Sequence, residues 1–98
     1  MKFLKPWHDT DENLEVQLRK EISVGHILYG KEVKTIARRQ DNDDVLFKVA
    51  DTDFQYAMVH LTWSSKSNPD STYPLTRTFK DADEVFERLI LEDNNNWV

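Results

Sequence analysis

Cysteine is absent from this 98-residue chain, glycine occurs twice and proline three times. The first absence removes disulfides and thiol nucleophiles together. Small secreted domains usually depend on disulfides, so a cytoplasmic setting is expected. The scarcity of glycine and proline excludes low-complexity linkers and argues against disorder. No apolar run reaches the length of a membrane span, and residues 1–6 lack the apolar stretch of a signal peptide. Positive charge is also scarce in the second half. Residues 1–50 carry nine basic and nine acidic groups, residues 51–98 four and nine, so the net −5 arises wholly after residue 50. Dispersed negative charge disfavours phosphate contacts, so neither nucleic acid nor membrane is expected as a partner.

What the chain does hold is eleven aromatic residues and three strand-like runs between Lys31 and Trp63. Val33 to Arg39 reads as one strand, with Asp41-Asn42-Asp43-Asp44 as the turn after it. Val45, Phe47 and Val49 share one face of a second strand, with Lys48 opposite. In the third, Ala57, Val59, Leu61 and Trp63 face one way and Tyr56, Met58, His60 and Thr62 the other. After a polar loop, Leu75 to Lys80 gives a fourth strand. Short connections favour an antiparallel meander.

Helical spacing flanks these strands. Leu14, Leu18 and Ile22 recur every four residues behind Asp9 and Glu12, a capping-box pair, so a helix is expected from Asp9 or Thr10 to a stop at Gly25. Asp81 and Glu84 open a second helix, whose apolar stripe is Val85, Phe86, Leu89 and Ile90. The expected fold is a single α+β domain over residues 1–98. It is a four-stranded, mainly antiparallel meander sheet flanked by an N-terminal and a C-terminal helix, in the order α-β-β-β-β-α. Residues 1–6 and 94–98 read as tails. If both helices pack on the Val59 face, the Tyr56, Met58, His60 face stays open, and that arrangement is the one expected.

No motif assigns a reaction. Gly25 to Glu32 fits G-x-x-x-x-G-K-[S/T] except at Glu32, and it follows a helix and precedes a strand, the inverse of a phosphate-binding loop. The Asp41–Asp44 run has Leu46 and Thr52 where a calcium loop needs glycine and glutamate. The histidines show no metal-ligand spacing, so neither metal nor cofactor is expected. His60 stands mid-strand, where a rigid sheet could hold it for proton transfer, but its face-mates Met58 and Thr62 offer no carboxylate to orient it. Two features suit a binding role: the mixed face of Tyr56, Met58, His60 and Thr62, joined by Arg38, and the loop bounded by Trp63 and Tyr73. The leading reading is a small non-catalytic module that binds a protein partner or a second copy of itself. The rival is a small hydrolase or ligand-binding domain using His60 and the Trp63–Tyr73 loop.

Overall fold

The structure is a computed structural model, and residues 1–97 are described. It contains β1 (Trp7–Asp9), α1 (Glu15–Glu21), β2 (Val33–Arg39), β3 (Asp44–Val49), β4 (Tyr56–His60) and β5 (Thr76–Phe79). A C-terminal helix follows without interruption as α2 (Ala82–Val85), a π-helical segment (Phe86–Ile90) and α3 (Leu91–Asn95). The α+β class and the antiparallel meander hold, but the sheet has five strands rather than four, in the order β1-β2-β3-β4-β5.

The extra strand comes from the segment just after the expected tail. Trp7 pairs with Arg39 and Asp9 with Ala37, which draws Asp9 into the sheet and away from any helix-capping role. The α1 helix therefore starts later, at Glu15, and is docked from outside: the Leu14 N–H donates to the Thr35 hydroxyl at 3.1 Å. It also ends earlier, because Ile22 turns extended (ψ 145°). Gly25 serves a turn instead. Its φ is +99°, a conformation that favours glycine, and a Cβ there would meet Ser71 tightly at 3.2 Å. The second helix starts where expected, with the Asp81 carboxylate accepting from the Glu84 N–H at 2.9 Å.

Side-chain parity sorts the core into two layers. Val45, Phe47, Val49, Ala57, Val59 and Leu61 pack with Leu14, Leu18 and Ile22 of the α1 region. Leu46 and Phe79, with partly buried Tyr56 and Met58, pack on the other face against Val85, Leu89 and Ile90. One helix thus covers each face, which corrects the expectation of an open Tyr56/Met58 face. The apolar stripe of each helix needs a sheet face of its own, and Leu46 and Phe79 supply the second. Phe86, expected in the core, lies at its margin. Within the expected tail of residues 1–6, Phe3 and Leu4 lean on this second layer, while Met1, Lys2 and Lys5 are exposed.

A bulge in β2 decides what the sheet ends present. Thr35 pairs with Phe47 but Ala37 with Leu46, so Ile36 is extra and the parity of β2 flips there. Ala37 consequently joins the C-terminal helix side, and Arg38, paired with Val45, returns to the α1 side. Near the other sheet edge, the backbone before β5 is tied down by His26, which is buried. Its Nδ1 accepts from the Leu28 N–H at 3.0 Å, so Nε2 carries the proton and donates to the Pro74 carbonyl at 3.0 Å.

Candidate functional site

The site grows from one buried carboxylate. Glu21 sits three residues beyond Leu18, on the flank of the stripe that α1 buries, and is only 1% exposed. A carboxylate out of water must have its lone pairs satisfied. One oxygen accepts from the Thr62 N–H and hydroxyl, both at 2.7 Å. The other accepts from Gln17 Nε2 at 2.7 Å and the Trp63 N–H at 3.0 Å. The Glu21 carbonyl also accepts from the Asn68 N–H at 3.1 Å. One residue therefore fixes the exit of β4 and the loop beyond it.

Trp63 is where that constraint is spent. Its φ is +60°, a left-handed conformation that a bulky aromatic residue adopts only under enforcement. The side chain is still 46% exposed, although Trp is usually well covered. Its position is set from two sides. The indole N–H donates to Asp43 at 3.0 Å, and the Arg38 guanidinium lies 5.7 Å from the ring centroid, within cation–π range. Arg38 is steadied in turn by Glu12, whose two oxygens accept from one guanidinium nitrogen at 3.0 and 3.1 Å. The β2 bulge is what brings Arg38 to this side.

His60 lies beside this cluster but on the other face of the sheet. Asp44 stands directly opposite it in the β3–β4 register, and the Nδ1 to carboxylate distance is 2.7 Å. With Asp44 ionised, Nδ1 is the donor, which leaves Nε2 facing solvent on a half-exposed ring. The absence of a carboxylate orienter, expected from Met58 and Thr62 alone, is corrected: the orienter comes from the neighbouring strand. Among the described residues, His60 lines none of the five grooves beside α1, the C-terminal helix, the β2–β3 turn, the loop of residues 64–69 and Lys34/Lys48.

Of the residues expected to form a binding surface, Arg38 and Trp63 touch, Thr62 is exposed but held by Glu21, and His60 is exposed with Asp44. Tyr56 and Met58 are half-buried under the C-terminal helix. Tyr73 is half-exposed at the far end of the loop in sequence. Glu21, Asp43, Asp44 and Glu12 were not singled out as site residues by the sequence. For Glu21 a signal existed, since a carboxylate three positions from Leu18 and one from Ile22 must be buried with them or bend away.

Elsewhere, Gly30, Lys31 and Glu32 of the imperfect phosphate-loop string line a groove of about 460 Å³ beside α1. Its floor is Leu18, Leu28, Ile22 and Val33, whose surface the core already takes up. Gly25 and Gly30 both have positive φ and serve turns. Among the described residues no group of three or more His, Asp or Glu side chains is placed to hold a metal ion. No helix of the described residues is long and apolar enough to cross a membrane. Compared with known protein families, curated proteins and solved structures, the chain matches none of them.

Proposed function

We propose that this chain is a non-catalytic protein-binding module whose contact surface centres on Trp63, with Arg38 and Thr62 beside it. The observation that carries this reading is the enforced exposure of Trp63. A left-handed tryptophan costs about 1–3 kcal/mol of backbone strain, and here a buried carboxylate, a hydrogen bond to Asp43 and a guanidinium within cation–π range hold it half in water. A partner would gain from it, because a rigid, pre-positioned tryptophan loses little entropy on docking, and Trp and Arg dominate interface hot spots. The short β2–β3 turn and the Glu21-pinned loop supply a polar rim around it.

Partner capture by the wild-type chain and by Trp63→Leu tests this, with circular dichroism to verify the fold. Loss of the partner with Trp63→Leu, and its retention by a Tyr73→Leu control, is the expected result. Equal retention by Trp63→Leu and wild type would overturn the reading.

A second reading draws on the Asp44–His60 pair, the geometry by which a carboxylate orients a histidine for proton transfer. Among the described residues the side-chain bond of His60 is the one to Asp44, a carboxylate orienter and not a nucleophile awaiting a base. On this reading His60→Ala abolishes a hydrolytic turnover; on the binding reading it leaves the fold and capture of the partner intact.

A further inference from the structure

We infer that the partner of the Trp63 surface presents a guanidinium or ammonium group, with arginine the better fit, and docks it on the exposed part of the indole beside Asp43. This rests on the binding-module reading and specifies its partner class. Two observations carry it. The first is that the site already accommodates one such group: Arg38 sits 5.7 Å from the Trp63 ring centroid, while the residue remains 46% exposed. A ring with one guanidinium 5.7 Å away and still half in water offers further π surface, and cations are the species its quadrupole attracts.

The second is the local balance of charge. Beside the indole stand Asp43, which holds its N–H, and Glu12 on Arg38, with the Glu21 carboxylate behind the backbone. The cation placed among them is Arg38, and Glu12 already neutralises it. Arg39 is turned to Asp41 and Asp93. A positively charged group therefore arrives in a field that favours it, and a carboxylate or phosphate arrives in one that opposes it. Asp43 keeps accepting capacity after bonding the indole, since a carboxylate offers about four lone-pair sites. Arginine fits better than lysine because its plane can stack on the ring while its edge reaches a carboxylate.

The Trp63 indole N–H is itself the reporter, because its hydrogen bond to Asp43 sets its NMR position. Three short peptides of equal length serve as probes: one with two arginines, one with citrulline in their place and one with glutamate. The arginine peptide should shift the Trp63 indole resonance saturably, citrulline should bind roughly tenfold more weakly, and glutamate should leave the resonance unmoved. Raising salt from about 0.05 to about 0.5 M should weaken the arginine peptide, and Asp43→Asn, which keeps an acceptor for the indole, should weaken it too. No saturable shift with arginine, or equal shifts with citrulline, overturns the inference. If Trp63→Leu still loses its protein partner while the arginine peptide fails, the partner class is wrong and the module reading stands. If both fail, the reading beneath it has failed.

Discussion

The Glu21 carboxylate accepts the backbone N–H of Trp63, 42 residues further along the chain, at 3.0 Å. That bond joins the end of α1 to the exit of β4 and makes a single side chain responsible for an exposed one. Glu21→Gln keeps the shape but turns an NH₂ group toward donors that need an acceptor. The expected cost is about 1–3 kcal/mol in urea denaturation, with broadening of the Trp63 indole resonance. A cost near zero would mean that the carboxylate does not carry the loop.

The backbone at Trp63 can be tested apart from its side chain. Trp63→Gly and Trp63→Ala both delete the indole, yet only glycine relaxes at a φ of +60°. The glycine variant should be more stable than the alanine variant by roughly 1 kcal/mol, read from the denaturation midpoints. The reverse order would show that the loop escapes the left-handed conformation once the ring is gone.

Acid should act through Glu15. Burial pushes its carboxyl up, but the Thr35 hydroxyl, backbone bonds and the nearby Arg19 outweigh that and hold it below its usual range. A depressed folded pKa means stabilisation that is full above the ordinary glutamate range and fades as pH falls through the folded value. Thr35→Val removes the hydroxyl, so its stability deficit against wild type should be largest near pH 7 and shrink below about pH 4. A deficit that stays constant down to pH 2 would remove Glu15 from the account.

The two-layered core predicts unequal costs along neighbouring strands. Phe47→Ala should cost about 3–5 kcal/mol, and Phe86→Ala, at the margin of its layer, clearly less. Met58→Ala should cost more than His60→Ala, although both side chains point to the same face, because the C-terminal helix covers only the former. Equal losses at 58 and 60 in thermal melts would place the helix elsewhere.

Alternation made much of this legible. The set Val45, Phe47, Val49, Ala57, Val59 and Leu61 falls on one face because side chains in a strand repeat every two residues, and nothing interrupts that period. Asp81 was legible as a cap because its Glu84 partner is local. The rest required register. A three-residue strand such as Trp7–Asp9 is too short to show periodicity, and the Asp9–Glu12 spacing pointed to a helix that begins six residues after Asp9. The Ile36 bulge lies in a uniformly β-prone run, so the face of Arg38 could not be read from parity. Asp44 became the partner of His60 only through cross-strand pairing, which no spacing along one strand reveals.

The indole of Trp7 donates to Asp93 at 2.8 Å across 86 residues, and the Asn94 side chain donates to the Lys5 carbonyl at 2.8 Å. During synthesis Lys5 and Trp7 must therefore wait for Asp93 and Asn94 to emerge. Until then Leu46, Met58 and Phe79 have no lid, and a nascent chain stalled before residue 82 is a half-clad sheet that a chaperone would recognise.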